Sequence, residues 1–206
     1  RWLPAVEING EGIFIEFNQA TIKEWLNLPE VKAFSQRYAE SYKEFCTSRE
    51  WKVTVLRNAI YVLLHTFSHL LIKQMSMSSG YSSSAIRERI YFGDNMAGIL
   101  LYTGSPDKEG SLGGLVELGS VEKIIPIMRD AFQEALLCTN DPECLHNAPA
   151  AANSNGAACH SCCMISETAC ENGNRMLDRG LVVPIAEREN NAFFKELVEE
   201  LCQLEM

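Results

Sequence analysis

The sequence predicts an α+β fold in which short strands surround one long, buried central helix and a cysteine-rich loop is stapled onto it. Three observations carry that prediction. Trp51–Met77 is apolar around most of a helical circumference, through Leu56, Ile60, Leu63, Leu64, Phe67, Leu70 and Leu71, and such a helix belongs inside a protein. Leu3–Phe17 and Ile86–Phe92 alternate apolar and polar residues with the period of a strand. Six of the eight cysteines fall between Cys138 and Cys170, in a stretch without periodicity.

Each element follows from its residues. Leu3–Phe17, with Gly10 and Gly12, reads as two short strands around a tight turn. From Thr21 the spacing is helical, through Ile22, Trp25 and Leu26 and then, beyond Pro29, through Val31, Phe34, Tyr38, Tyr42 and Phe45. The central helix comes next, with Gly80 near its end as a stop. Strand alternation in Ile86–Phe92 points Ile86, Ile90 and Phe92 one way and Arg87, Arg89 and Tyr91 the other. Ile99–Thr103 is a short apolar strand, and Leu112–Leu118 reads as another, whose Gly113–Gly114 pair suggests a bulge. Val121–Leu137 returns to helical spacing with Ser120 as its N-cap. Ala148–Gly156 reads as a flexible insertion. A last amphipathic helix, Asn191–Leu204, buries Phe194, Leu197, Val198 and Leu201.

Composition narrows the function. At 206 residues, 47% hydrophobic and 22% charged, the chain is a folded globular protein, which excludes wholesale disorder. A net charge of −9 argues against a freestanding basic nucleic-acid binder. The charge is uneven: residues 1–139 hold 16 acids and 14 bases, whereas residues 140–206 hold 11 and 4. Any surface for a polyanion is therefore a local patch on the first two thirds. No apolar run approaches the roughly 20 residues of a membrane span. With no signal peptide in view, a cytoplasmic location and no membrane contact are expected. Arg1 in place of an initiator Met suggests a piece of a longer chain.

The cysteines point to zinc. A chain of this size buries enough core without disulfides, and Cys159–Cys162 is a Cys-x-x-Cys pair of the kind that grips a metal. The spacing is Cys138-x5-Cys144, a gap, then Cys159-x2-Cys162-x7-Cys170. Two thiolates on a tight turn and others from a second segment can close a tetrahedron around Zn2+, with Zn–S bonds of about 2.3 Å. Five cysteines compete for four places: Cys159, Cys162 and Cys170 lead, with Cys144 or Cys138 as the fourth. Four thiolates leave no position for water, so the site is structural. Cys163 points away as a packed thiol, and His146 and His160 are lesser substitutes. The chain thus divides into an α+β core at 1–137, a four-cysteine zinc segment packed on it at 138–180, and a C-terminal strand and helix at 181–206 that complete the same domain.

Other constellations are weaker. His65 and His69 lie one turn apart on the central helix, which reads as a hydrogen-bonded pair beside the core. Their alternative use, with a carboxylate such as Glu88, is as the metal site of a hydrolase. There is no Gly-Lys-Ser/Thr loop and no Gly-x-Gly-x-x-Gly, so the chain is not itself an ATPase motor. Arg87 and Arg89 could clamp phosphates or a partner's carboxylates. Asp178–Arg179 reads as an ion pair that locks the cysteine loop.

Several stretches together carry a family resemblance: LPAVEINGEGIFIEF at Leu3–Phe17, LHTFSHLL at Leu64–Leu71, GYSSSAIRERIY at Gly80–Tyr91, GSLGGLV at Gly110–Val116 and GAACHSCCMISETACENGNRMLDR at Gly156–Arg179. The combination resembles the helicase-associated zinc-binding domain of MrfA-type repair helicases, and more closely a helicase-accessory family of the DISARM anti-phage system. The resemblance implies a non-catalytic, four-cysteine zinc module, its ligands drawn from Cys138, Cys144, Cys159, Cys162 and Cys170. It also implies a superfamily-2 DNA helicase, as partner subunit or fused domain, with DNA reached through that assembly. Cys163 departs from the family pattern, which has an aliphatic residue there.

Overall fold

The computed structural model describes residues 9–53, 57–82, 84–93, 95–104, 114–150 and 154–203. Among these residues three antiparallel strands form a sheet: β1 (Glu11–Glu16), β2 (Arg87–Gly93) and β3 (Met96–Thr103), in the order β1-β3-β2. Ile13 pairs with Leu101 and Ile90 with Ile99, so the buried residues of the three strands share one face. Among the described residues there are six helices: α1 (Gln19–Asn27), α2 (Pro29–Ser48), α3 (Ala59–Ser79), α4 (Gly114–Leu118), α5 (Val121–Leu136) and α6 (Lys195–Gln203). The architecture is the α+β arrangement that the sequence predicts.

Helix α3 is the axis of the molecule. The sheet covers one side, α5 another and α2 a third, so every residue from Ala59 to Ile72 is buried. Gly80 ends it in the left-handed conformation at φ 71°, which glycine adopts without steric cost. The helix starts later than the periodicity predicts. Glu50 takes a positive φ of 57°, and the Trp51 N–H turns back to donate to the Cys46 carbonyl at 2.9 Å, closing α2. The chain is therefore non-helical at Trp51.

The break between α1 and α2 comes from Pro29, which lacks an N–H and stands at the first position of α2. Asn18 caps α1, its side chain accepting from the Ala20 and Thr21 N–H groups at 2.9 and 3.2 Å. Of the two strands expected in Leu3–Phe17, the second is β1; residues 1–8 lie outside the described residues.

Four expectations need correction. Gly114–Leu118 is helical rather than a strand. The Glu11 carboxylate accepts the Leu115 and Val116 N–H groups at 3.2 and 3.1 Å, satisfying donors that a first turn leaves open; Gly113 lies outside the described residues. The C-terminal strand is not found among the described residues of 181–203, which run through short 3-10 turns at Arg179–Leu181 and Glu189–Asn191 before α6. Helix α6 itself starts at Lys195, and Leu197 is exposed. An aromatic cluster ties this terminus down instead: Phe194 lies 5.1 Å from Phe67 and 4.8 Å from Phe132, ring centre to ring centre. Ser154, Asn155 and Gly156, expected in a flexible insertion, are buried. Asn155 accepts the Leu177 N–H at 3.0 Å and donates to the Asn174 carbonyl at 2.9 Å.

Candidate metal centre

Cys138, Cys144, Cys159 and Cys162 converge, their sulfurs all within 4.8 Å of one another. Cys138 follows the end of α5, and Cys144 sits on the 3-10 turn Pro142–His146. Cys159 and Cys162 lie on a tight turn in which the Cys163 and Met164 N–H groups both donate to the Cys159 carbonyl, at 3.1 and 3.2 Å. The Cys159 N–H also donates to Cys162 Sγ at 3.3 Å.

The spacing suits a tetrahedral ion. Bonds of about 2.3 Å from a central zinc place sulfurs about 3.8 Å apart. The measured separations are 3.6 Å for Cys138–Cys159, 3.7 Å for Cys159–Cys162 and 4.0 Å for Cys144–Cys162. Electrostatics point the same way. A hydrogen bond from Cys163 outweighs burial and brings the Cys162 thiol down to about 5. Burial, and then the Cys162 charge, hold Cys144 above the ordinary thiol range. Packed together without a cation, the thiols cannot all ionise; a divalent ion removes that conflict.

Two cations, one buried and one half-buried, brace the cluster from outside. Arg179 is 2% exposed and donates to the Ala135 and Leu136 carbonyls at 2.8 and 3.1 Å, with Nη2 3.8 Å from Cys144 Sγ. Lys73 Nζ donates to the Ser161 and Cys162 carbonyls at 2.7 and 3.0 Å. Both would offset the excess negative charge of four thiolates around a divalent ion. The role of Arg179 was hidden in sequence, though an arginine beside the apolar run Leu181–Val183 was a signal. The expected Asp178–Arg179 pair does not form; Asp178 Oδ2 pairs with Arg188 Nη2 at 2.5 Å. These two neighbours point to different sides of a turn.

The fifth cysteine lies elsewhere. A turn from Ser166 carries Cys170 to β2, where the Glu88 N–H donates to the Ala169 carbonyl at 3.2 Å. There Cys170 meets His65, His69 and Glu88, whose donor atoms also lie within 4.8 Å of one another. His65 Nε2 is 2.9 Å from Glu88 Oε1 and 3.2 Å from Cys170 Sγ; His69 Nε2 is 3.2 Å from Glu88 Oε1. Burial disfavours the charged form of His65, but the Glu88 carboxylate outweighs it and raises the ring to about 10. Burial likewise pushes the Cys170 thiol up, and hydrogen bonds from the two histidines bring it down to about 6. Cys163 is buried with its sulfur 4.0 Å from the Ala157 carbonyl, outside both clusters. His146 and His160 are exposed and belong to neither. Arg87 and Arg89 are exposed on β2, on the face opposite Glu88 and Ile90.

The class this geometry defines is a zinc-binding domain with a four-cysteine cluster, and zinc is its cofactor. Residues 67–163 match the MrfA Zn-binding domain family, a span that contains all four converging cysteines but ends before Cys170. The chain is also similar to DISARM protein DrmB of Bacillus paralicheniformis, being 53% identical over 199 residues. That alignment takes in 96% of this chain and 36% of the relative, so the chain spans little more than a third of the length of the curated protein it matches. The resemblance read from the sequence is thus shown by both comparisons. Among the described residues, no helix is long and apolar enough to cross a membrane.

Proposed function

We propose that this chain is a non-catalytic accessory module of a cytoplasmic anti-phage defence assembly, held in shape by Zn2+ on Cys138, Cys144, Cys159 and Cys162. The observation that carries this reading is the set of sulfur separations, 3.6 to 4.0 Å, close to the edges of a zinc–thiolate tetrahedron. Four thiolates complete the shell, so the ion holds structure and has no open position for water.

The partner in this reading is a superfamily-2 DNA helicase, as a separate subunit or a fused domain, with DNA reached through that assembly. Its support is the similarity to a DISARM protein and to the MrfA zinc domain. Arg87 and Arg89 supply the contact. Arg89 is 63% exposed and only 4.0 Å from Glu171 Oε2, a loose surface pair that yields to a phosphate or a partner carboxylate at little cost. The hydrolase alternative on His65, His69 and Glu88 has weaker support, because those side chains have no exposed surface to offer a substrate.

The test uses the whole protein and its helicase partner. Cys144→Ser is expected to lower zinc content by one ion per chain, lower the melting temperature and weaken helicase capture. Unchanged zinc content in that variant overturns the ligand set.

A further inference from the structure

We propose that His65, His69, Glu88 and Cys170 form a second metal site, closed and structural, for a divalent transition-metal ion of the zinc class. The donors come from three separate parts of the fold: two from α3, one from β2 and one from the turn at Ser166–Cys170. Two imidazole nitrogens, a carboxylate oxygen and a thiolate are all donors that zinc takes. Bonds of about 2.0–2.3 Å place tetrahedral donors about 3.3–3.7 Å apart. The measured 2.9, 3.2 and 3.2 Å need to open by only a few tenths of an ångström.

Hydrogen bonding behind the rings carries the argument further. His69 Nδ1 faces the Cys163 carbonyl at 2.9 Å, and His65 Nδ1 faces the Met176 carbonyl at 3.4 Å. A carbonyl only accepts, so each Nδ1 carries the proton. In a neutral ring, Nε2 then presents a lone pair to the carboxylate oxygen and the sulfur. Lone pairs so placed repel unless a proton or a cation stands between them. Protons alone leave two imidazolium rings, 4.5 Å between centroids, sharing a single carboxylate oxygen, each ring repelling the other. A divalent ion brings the same two charges and bonds all four donors at once. A ring N–H donated to a backbone carbonyl is the usual outer support of a ligating histidine.

The anionic donors are oriented as well. Cys170 Sγ accepts the Asn172 and Asn174 N–H groups at 3.3 and 3.2 Å. Glu88 Oε1 accepts the Glu171 N–H at 3.2 Å, and its other oxygen takes the Ser68 hydroxyl. The side chains of His65, His69 and Glu88 are wholly enclosed, and Cys170 is 9% exposed. The ion therefore has no face for substrate; it ties α3 to β2 and to the cysteine segment. This site stands independently of the four-cysteine one.

The test is metal analysis of the whole protein, purified without chelators from zinc-supplemented cells. Two ions per chain are expected, falling to one in Cys144→Ser and to one in His69→Gln. After exchange with Co2+, the ion left in Cys144→Ser should show much weaker thiolate charge-transfer absorption than the one left in His69→Gln. One ion per chain in the wild-type protein, unchanged by His69→Gln, overturns the proposal. Because His69→Gln disturbs a buried helix, anomalous scattering at the zinc edge on the unaltered protein supplies an independent reading. Peaks at both clusters are expected; a peak at the four cysteines alone overturns the second site and leaves the first standing.

Discussion

The Tyr38 hydroxyl donates to Asp178 Oδ2 at 2.5 Å, across 140 residues of sequence, with both side chains fully buried. Burial, followed by the Asp178 charge, holds the Tyr38 phenol well above its usual range, so it stays a donor. Arg188 shares the same oxygen, while Oδ1 accepts the Ala157 and Gly180 N–H groups at 3.2 and 2.9 Å. One carboxylate thus joins α2, the cysteine segment and the C-terminal turns. Asp178→Ala strands a largely enclosed guanidinium, its side chain 11% exposed, and should cost about 3 kcal/mol or more, against about 1–3 kcal/mol for Tyr38→Phe. Urea denaturation of both variants measures the difference. A cost for Asp178→Ala below that of Tyr38→Phe would contradict the central role of the carboxylate.

Zinc removal is expected to unfold the cysteine segment first. Structural zinc in small modules is worth about 10–16 kcal/mol, so Cys159→Ser should lose several kcal/mol and expose residues 139–175 to protease. Cys163→Ala, which removes a thiol outside both clusters, should keep the full metal content. Limited proteolysis with and without a chelator checks both statements.

Gly156 sits where no side chain fits. A β-carbon there would run into Asp178 Oδ2 and the Tyr38 hydroxyl, both fixed by the network just described. Gly156→Ala should therefore cost more than the usual 1–3 kcal/mol of overpacking, although alanine suits most backbones. Equal melting temperatures for variant and parent would show that the carboxylate is freer to move than its hydrogen bonds suggest.

On the opposite face of β2, Arg87→Ala with Arg89→Ala should move stability by no more than about 0.5 kcal/mol. In an assembly with the proposed helicase partner, the same pair should weaken DNA binding and flatten its log–log salt slope by up to about 2, if both guanidinium groups touch phosphate. Unchanged affinity, slope and partner capture would remove the arginines from the interface.

The sequence disclosed what periodicity and composition encode. The enclosed helix, the exposed arginine pair and the cysteine cluster follow from local pattern, and so did the pairing of Cys159 with Cys162. Cys170 did not, because spacing says how far a thiol can reach and not which way a turn carries it. Leu112–Leu118 misled because a short apolar run fits strand and helix alike, and the choice was made by Glu11, about a hundred residues away. The Asp178–Arg188 pair was hidden for the same reason: adjacency in sequence suggests Asp178–Arg179, and tertiary packing sends those two side chains apart.

Enclosing α3 on all sides has a consequence for how the protein is made. Ala59–Ile72 leaves the ribosome long before Gly156–Ile185, which supplies part of its cover. At about 5–20 residues per second, the gap of roughly a hundred residues lasts about 5–20 s. Throughout that interval the most apolar helix among the described residues lacks part of its shell, and Cys159 and Cys162, half of the zinc cluster, have not yet been synthesised. Nascent chains stalled or cut within this window should be the species that chaperones hold and that otherwise aggregate.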